Sequence, residues 1–296
     1  MAALAAIYNP LAPKDRSVNL FFNTGNAQVA LTLKTGTDGS DENDVYVCGD
    51  DDYPGYILNP SEISGGSFRG VHHVIATTVP LVEKGASVTK NQISLVSPVY
   101  KKLNTTSLAN KNTSFASSDK GAWAYFLDGS ANYQTSLKEY NFLTQHTATY
   151  LKNADIKLNS SLAAYVNPKN GHRYIIYQEV NQGHLKEYDI NSNQSFDIEN
   201  SQGTLDGTTI ALTYDNDKVY IYYVDSGSNI RRIIKTGVDG NASWSSSVRI
   251  DDATKISVPG QLTVTTANGL NHLFYVSVDN SLADNDFTHV TDPLQE

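Results

Sequence analysis

The segment His172–Tyr188, HRYIIYQEVNQGHLKEY, contains the unit that decides the fold. Two runs within it, Arg173–Tyr177 and His184–Tyr188, alternate their side chains with a period of two and are rich in β-branched and aromatic residues. A short polar linker that contains Gly183 separates the two runs. Alternation of this kind is typical of β-strands, and an Asn-Gln-Gly linker is typical of a hairpin turn. The segment therefore predicts two strands joined by a tight turn.

Similar two-strand units recur along the chain. The residues that match Arg173 in them are Trp123, Lys218 and His272, and the steps between neighbouring units are 50, 45 and 54 residues. A further unit lies near the start, at Val18–Leu33. Repetition at this period, with three or four strands in each unit, is the sequence mark of a β-propeller.

A short strand of small residues comes before each of these units. The strands in question are Ala3–Ala6, Thr113–Ala116, Ser161–Ala164, Thr209–Leu212 and Gly260–Thr263. Small side chains suit the innermost strand of a propeller blade, because the strands converge beside the axis of the ring. We therefore expect these strands to surround the axis.

The stretch Ser67–Tyr100 is less regular than the other units. Val71–Thr77 and Asn91–Val96 have the pattern of strands, but Pro80 and Gly85 interrupt it. If this stretch is counted as a unit, the 296 residues divide into six blades. The alternative is a five-bladed ring in which the stretch is an insertion. We predict an all-β fold with a single domain over residues 1–296, a six-bladed β-propeller of mostly antiparallel four-stranded blades.

Two segments have open interpretations. In the last unit, the third strand is predicted at Ser281–Asp284. The residues that follow, Asp286–Glu296, either end beside the first blade or form a loose tail. The acidic segment Asp38–Asp44 suggests a calcium loop by its oxygen ligands, but its spacing matches no known calcium cage, and a solvated loop is favoured.

Composition and charge limit the kinds of partner. The formal net charge is −9, so the chain lacks the excess of Lys and Arg by which proteins displace counterions from nucleic acids. Cys48 is the only cysteine, which excludes an internal disulfide and gives no zinc-type cluster. No apolar run approaches the roughly 18 residues of a membrane-spanning helix. We predict no nucleic acid, no metal and no membrane span.

The sequence leaves localisation and oligomeric state open. The segment Met1–Tyr8 is too short, and lacks the basic residues, for an intact signal peptide. A secreted chain whose signal peptide had been removed would begin in the same way. A homodimer is likewise compatible with the sequence.

The repeated unit resembles that of the fungal fucose-specific lectins, six-bladed propellers that hold a sugar between adjacent blades. The resemblance rests on Arg173 in the second strand and Glu187 in the third. It implies that these two side chains hold sugar hydroxyls while an aromatic ring packs on the apolar face of the sugar. The chemistry suits a sugar, because Arg offers forked donors, Glu accepts hydrogen bonds and an aromatic ring covers a C–H face. A structural ion pair between Arg173 and Glu187 is the alternative interpretation.

The other units have lost this pair of residues. In one unit Trp123 replaces the arginine while the glutamate is retained as Glu139; the pairs in the other units are Lys218 with Arg232, His272 with Asp284, and Val18 with Leu31. A ring that keeps its blades but loses its repeated sites is similar to the fungal hetero-Diels–Alderases of tropolone sesquiterpenoid biosynthesis. That resemblance implies a cofactor-free pericyclase of secondary metabolism that joins a tropolone o-quinone methide to a humulene-type sesquiterpene.

A cycloaddition needs two partners held face to face and a donor aimed at a carbonyl, rather than a nucleophile, metal or redox cofactor. We find no serine nucleophile elbow, glycine-rich phosphate loop or zinc-binding His/Glu spacing. Under this hypothesis the catalytic donors are expected among Arg69, His72, His73 and Lys218. The substrate-binding residues are expected to be Trp123, Tyr125, Arg173, Glu187, Tyr220 and His272.

Each candidate also has a structural interpretation. His72 and His73 are adjacent on a predicted strand and point to opposite faces, so at most one of them faces a given pocket. Trp123 fits packing between blades, and Lys218 fits a solvated turn. The alternative function is a lectin that binds fucosylated glycans, and a third is a structural propeller with no small ligand. The shape of the pocket distinguishes the first two, because a sugar needs shallow polar clefts and a terpene needs one deep apolar cavity.

Overall fold

Six antiparallel sheets follow one another along the chain in the computed structural model, which describes residues 3–38, 45–48, 55–237, 242–279 and 287–295. Blade 1 consists of β1 (Leu4–Tyr8), β2 (Val18–Asn23), β3 (Val29–Lys34) and β4 (Val45–Cys48), with a 3-10 helix at Lys14–Arg16. Blade 2 consists of β5 (Gly55–Ile57), β6 (Ile63–Phe68), β7 (Val71–Pro80), β8 (Asn91–Ser97) and β9 (Lys101–Thr106). Blade 3 consists of β10 (Thr113–Ser118), β11 (Gly121–Gly129), β12 (Thr135–Asn141) and β13 (Thr147–Ala154).

The second half of the chain repeats the arrangement. Blade 4 consists of β14 (Ala163–Val166), β15 (Arg173–Gln178), β16 (Leu185–Asp189) and β17 (Gln194–Asp197). Blade 5 consists of β18 (Ile210–Asp215), β19 (Lys218–Val224), β20 (Ile230–Thr236), β21 (Ser243–Trp244) and β22 (Val248–Arg249). Blade 6 consists of β23 (Thr263–Ala267), β24 (Leu270–Tyr275) and β25 (Thr288–Pro293). The described helical segment is too short to cross a membrane, and none longer is found among the described residues.

One strand of each blade lies beside the axis, and it is the first strand of every blade except blade 2, where it is β6. The six inner strands β1, β6, β10, β14, β18 and β23 contact one another in turn, and β23 contacts β1, so that the ring is closed. All six contribute to the wall of one cavity along the axis. The six-bladed propeller, and the inner place of the strands rich in small residues, are therefore confirmed.

Each junction between neighbouring blades contains one cluster of buried apolar side chains. Strand β19 shows why its sequence, KVYIYYV, is apolar at almost every position. Tyr220 and Tyr222 pack towards blade 6, whereas Ile221 and Tyr223 pack towards blade 4. A strand in the middle of a blade is thus buried on both faces, because other blades cover both sides of its sheet.

The irregular stretch is a true blade with a long second strand. Strand β7 pairs with β6 along its first half and with β5 along its second half. Pro80 ends β7 at its pairing with Gly55, and Gly85 lies in the exposed loop that follows. The six-blade prediction holds here, and the five-blade alternative is wrong.

The end of the chain differs from the prediction. The third strand of blade 6 is β25, which pairs with β24 along Thr288–Pro293. The predicted strand Ser281–Asp284 lies outside the described residues, as do residues 39–44 of the acidic segment. Residues 287–295 are therefore not a loose tail, because they complete a blade and the ring of Phe287 packs 5.1 Å from that of Phe22 in blade 1.

Candidate functional site

Charged and aromatic side chains meet between blades 3 and 4. Arg173 is the first residue of β15, and its Nη1 donates to both carboxylate oxygens of Glu139 in β12, each at 2.6 Å. The centre of its guanidinium group lies 5.1 Å from the ring centroid of Trp123 in β11. A cation, a carboxylate and an indole are thus held together by three strands of two blades.

The predicted pair of Arg173 with Glu187 is wrong. Arg173 shares a face of its strand with Ile175, which packs towards blade 3. Glu187 lies opposite Ile176 in the sheet, and Ile176 packs towards blade 5. Since cross-strand partners share a face, the arginine and the glutamate project from opposite sides of blade 4.

An open cleft of about 860 Å³ lies above the cluster between blades 3 and 4. Trp123 and Arg173 line it together with Lys120, Asn141 and Tyr214. Only 18% of the Arg173 side chain and 5% of the Glu139 side chain are exposed, so the guanidinium forms part of the cleft and the carboxylate lies beneath it. Burial raises the pKa of Glu139, although Arg173 opposes this shift.

Tyr125 does not form a wall of this cleft, because it is completely buried in the core. Burial and the nearby Glu139 carboxylate raise the pKa of its hydroxyl well above the ordinary value. Of Trp123 and Tyr125, both predicted to bind substrate, only Trp123 lines the cleft.

A second cleft, of about 710 Å³, lies between blades 4 and 5. At its base, Lys235 Nζ donates to Glu187 at 2.5 Å and lies 3.3 Å from the hydroxyl of Tyr165. The same ammonium group lies 4.7 Å from the ring centroid of Tyr174 and 5.5 Å from that of Trp244. The lysine of the protein itself therefore occupies the space between the aromatic rings and the carboxylate.

The rim of this second cleft carries a histidine–carboxylate pair. His172 Nδ1 lies 2.9 Å from Asp189 Oδ2, and the Ser192 hydroxyl donates to the same oxygen at 2.7 Å. Burial of Asp189 is outweighed by hydrogen bonds from Ser192, His172 and the backbone, which lower its pKa. Because Ser192 is bonded to the carboxylate, the three side chains do not form a Ser–His–Asp relay.

The junction between blades 5 and 6 holds a closed polar cluster. Arg232 Nη1 donates to both oxygens of Asp292, each at 2.5 Å, and the Tyr222 hydroxyl donates to Asp292 at 2.5 Å. Asn271 in turn donates to Tyr222 at 2.9 Å. All four residues are buried, so this cluster is closed to solvent. Asp292 belongs to β25, which the sequence pattern had not identified.

The remaining histidine candidates lie at three different junctions. His72 Nδ1 accepts a hydrogen bond from Asn19 of blade 1 at 3.0 Å, whereas the His73 ring stacks on Phe115 of blade 3. The two histidines thus face opposite sides of β7, as the alternation predicts.

His272 lies in the buried core at the junction of blades 6 and 1. The Nε2–H of His272 donates to the carbonyl of Ala267, with 3.2 Å between the nitrogen and the oxygen. In a neutral imidazole the other ring nitrogen is an acceptor, so Nδ1 of His272 accepts a hydrogen bond from Nε2 of His289 at 2.9 Å. Burial lowers the pKa of His272, and it lowers that of His289 to about 4. Both rings are therefore neutral at pH 7 and serve the packing of the core.

The other cation candidates lie on the surface. Lys218 Nζ donates to the carbonyl of Gln295 at 2.7 Å, and the hydroxyl of Tyr220 lies 3.4 Å from the same oxygen. These two residues hold the end of the chain against blade 5. Arg69 lies in the β6–β7 turn, with its guanidinium 5.1 Å from the Phe68 ring. The structure therefore does not bring Arg69, His72, His73 and Lys218 into one site.

The mouth of the axial cavity contains a carboxylate that the repeat had not indicated. Glu62, just before β6 of blade 2, accepts a hydrogen bond at 2.7 Å from Ser161, just before β14 of blade 4. Loss of hydration raises the pKa of Glu62 to about 7, although hydrogen bonds from Ser161 and Thr209 oppose the shift. The signal in the sequence is weak: a polar residue precedes five inner strands, namely Glu62, Asn112, Ser161, Thr209 and Gln261.

We expect Glu62→Gln to stabilise the protein increasingly as the pH rises. An unfolded Glu62 has an ordinary pKa of 4.5, so between pH 4.5 and about 7 the folded protein binds the proton more tightly than the unfolded chain does. The wild type therefore loses stability through this window, whereas glutamine resembles the protonated acid at every pH. Urea unfolding in a chelating buffer should show equal stability at pH 4.5 and a more stable variant at pH 8. A constant difference across the range would contradict the assignment, and Glu83→Gln on an exposed loop serves as the control.

Comparison with solved structures identifies lectins of the same architecture. The SapL1 lectin, solved with alpha methyl fucoside, superposes with a TM-score of 0.64 at 9% identity, covering 98% of this chain and 92% of that lectin. The lectin of Aleuria aurantia, described as a six-bladed β-propeller with a fucose recognition mode, gives 0.60 at 14% identity, with 99% and 96% covered. AofleA of Arthrobotrys oligospora gives 0.62 at 12% identity, with 100% and 87% covered. Similarity at these identities establishes the propeller fold.

Sequence comparison gives two relatives with a different description. The wall-associated proteinases of Coccidioides posadasii and Coccidioides immitis are 26% and 27% identical over 297 residues, which cover 92% of this chain and 91% of each relative. No protein-family model matches the sequence.

Proposed function

We propose that the protein is a carbohydrate-binding propeller that takes a fucoside, or a sugar of similar shape, in the cleft between blades 3 and 4. The main support is that the guanidinium of Arg173 and the indole of Trp123 line an open cleft of about 860 Å³, while the buried carboxylate of Glu139 holds the guanidinium from beneath. These are the groups that a sugar needs, since hydroxyls pair with charged donors and acceptors and a C–H face packs on an aromatic ring.

The pairing of Arg173 with Glu139 orients the site before a ligand arrives. The carboxylate fixes one nitrogen of the guanidinium, and the centre of the guanidinium lies over the ring of Trp123. A guanidinium that is already held in place loses little conformational freedom on binding a hydroxyl, which favours affinity. The SapL1 and Aleuria aurantia lectins, of the same fold, were solved with fucosides or described by their fucose recognition, which supports this class of ligand.

The second cleft is a weaker candidate for the same ligand. The side chains of Lys235 and Glu187 at its base are only 4% and 1% exposed, whereas 18% of the Arg173 side chain is exposed in the first cleft. A ligand at this position must displace an ion pair that is almost completely buried. The cleft lined by Arg173 is therefore the better candidate for the fucoside.

Tryptophan fluorescence tests the assignment directly, because the chain has only two tryptophans and each lies in one cleft. Titration with α-methyl fucoside up to tens of millimolar should change the emission of the Trp244→Phe variant, which retains Trp123. The emission of the Trp123→Phe variant should stay constant. Calorimetry on the wild type supplies the stoichiometry, expected to be one.

Two results would contradict binding of a fucoside in the cleft of Arg173. Absence of heat with α-methyl fucoside, and with a panel of immobilised fungal and animal glycans, would reject carbohydrate binding. A signal from Trp244 alone would move the site to the other cleft. Galactose and glucose serve as matched ligands for specificity, since they have the same size but a different arrangement of hydroxyls.

The two other activities have less support. The clefts beside the predicted residues are open and carry paired charges, whereas the joining of a terpene to a quinone methide needs apolar depth. The relatives named as proteinases raise the possibility of hydrolysis, but Ser192 donates to Asp189 rather than to His172.

A further inference from the structure

The axial cavity is separated from its mouth by polar side chains that cross the ring. The inner cavity has a volume of about 90 Å³, and the mouth, on the side where the inner strands begin, about 250 Å³. Glu62 and Gln261 line both spaces. Gln261 of blade 6 accepts from the backbone N–H of Leu4 and of Ile63 and donates to the carbonyl of Ile63, so its amide groups are occupied.

Glu62 is the acidic side chain at this boundary. It reaches past blade 3 to accept from Ser161, which itself accepts from the backbone N–H of Ile210 in blade 5. No lysine or arginine forms a salt bridge with Glu62 within the described part of the chain. A carboxylate has about four positions for hydrogen bonds or metal contacts, and the hydroxyl bonds use only part of them.

Three hydroxyl groups of residues that line these two spaces have no hydrogen-bond partner among the described residues. Thr113 Oγ1 and Ser64 Oγ belong to residues of the inner cavity, and Ser61 Oγ belongs to the mouth. The Thr113 residue is only 1% exposed, so bulk water does not satisfy its hydroxyl. A buried hydroxyl without a hydrogen-bond partner is unfavourable, which indicates that a polar occupant belongs in this cavity.

We propose that the axial cavity binds a hard cation, Ca²⁺, through the Glu62 carboxylate and the hydroxyls of Ser64 and Thr113, with water completing the coordination. The groups available are all oxygens, which are the ligands that calcium takes in flexible geometry. The site has one carboxylate, and no group of three or more acidic, histidine or cysteine side chains suited to a metal occurs among the described residues. Affinity tracks the charge of the ligands, so we expect a dissociation constant on the order of 10⁻⁴–10⁻³ M.

A cation explains why a carboxylate is kept at the axis. The Glu62 carboxylate has no salt-bridge partner among the described residues, and a bound cation would supply the missing positive charge.

Calorimetry on the full chain, stripped with a chelator and dialysed into calcium-free buffer at pH 8, tests the proposal. We expect one calcium per chain, and a rise in the unfolding temperature with 10 mM CaCl₂ that equal ionic strength of NaCl does not reproduce. Glu62→Gln should weaken binding at least tenfold, because its amide carbonyl still accepts from Ser161 but carries no charge. Thr113→Val, which removes the unpaired hydroxyl at nearly constant volume, should weaken it by a smaller factor.

The control variant is Glu83→Gln, which changes a carboxylate on an exposed loop. It should bind calcium as the wild type does. Equal calcium stabilisation of Glu62→Gln and the wild type would overturn the proposal, as would the absence of any calcium effect at pH 8. Sugar binding plays no part in these measurements, so their outcome is independent of the function proposed above.

Discussion

Replacement of Lys235 by methionine is expected to destabilise the protein by about 3–5 kcal/mol at pH 8, the usual cost of leaving one charge of a buried pair without its partner. Lys235 and Glu187 have exposed side-chain fractions of 4% and 1%, and 2.5 Å separates Nζ from the carboxylate. Methionine fills the same volume between Tyr174 and Trp244 but offers no donor to Glu187. Equilibrium unfolding in urea measures the loss as a lower midpoint.

The pH dependence of this loss identifies its cause. Burial already raises the pKa of Glu187, and removal of Lys235, which opposes the shift, should raise it further. The cost of Lys235→Met should therefore shrink as the pH falls and Glu187 takes up a proton, since the neutral acid needs no cation. The double variant Lys235→Met/Glu187→Gln should recover most of the stability at pH 8, because glutamine can still accept from Tyr165.

A surface lysine provides the control. Lys218→Met removes only the contact to the Gln295 carbonyl, so we expect a change below about 1 kcal/mol. A loss of that small size for Lys235→Met as well, or no recovery in the double variant, would show that the buried pair does not contribute as described.

The same strands show how much of the fold the sequence could predict. The run of β-branched and aromatic residues in Lys218–Val224 predicts a strand, and apolar residues at both odd and even positions are typical of a strand buried on both faces, as β19 is. The repeat spacing supplied the number of blades, because each blade is one hairpin unit of nearly constant length. Strand β25 was not predicted, since Thr288–Pro293 contains a proline and mostly polar residues and pairs only on one side.

The sequence predicted the residues of the candidate site but not their pairing, because the pairing depends on the register of the strands. The sequence indicated Arg173, Trp123 and Glu139 individually, but it matched Arg173 with Glu187 of its own blade. A count of positions along the hairpin would have placed Arg173 and Glu187 on opposite faces, since Glu187 pairs with Ile176. The partner across the junction could not be found in this way, because pairing between blades follows from the rotation of one sheet against the next, which a single unit does not encode. Glu62 was missed because its neighbours come from blades distant in sequence.

We expect Arg173→Lys to lower the affinity for the fucoside roughly 10- to 100-fold, the range that corresponds to loss of a hydrogen bond to a charged group. Lysine keeps a positive charge opposite Glu139, so the fold should tolerate the change. It lacks the planar fork that contacts Glu139 and Trp123 at the same time, and its ammonium cannot offer a second donor in the same fixed geometry. Calorimetric titration of the variant with the fucoside measures the change.

The discriminating comparison is with Arg231→Lys, because Arg231 belongs to blade 5 and pairs with Asp225, away from both clefts. This variant should bind the fucoside with unchanged affinity. Glu139→Gln tests the same site from the other side: the amide still accepts one hydrogen bond from Arg173, so the protein should remain folded while the orientation of the guanidinium is less fixed and affinity falls. If the wild type binds a fucoside and both Arg173→Lys and Glu139→Gln bind it equally well, the sugar contacts a different part of the ring, because no ligand seated on this guanidinium could be indifferent to both changes.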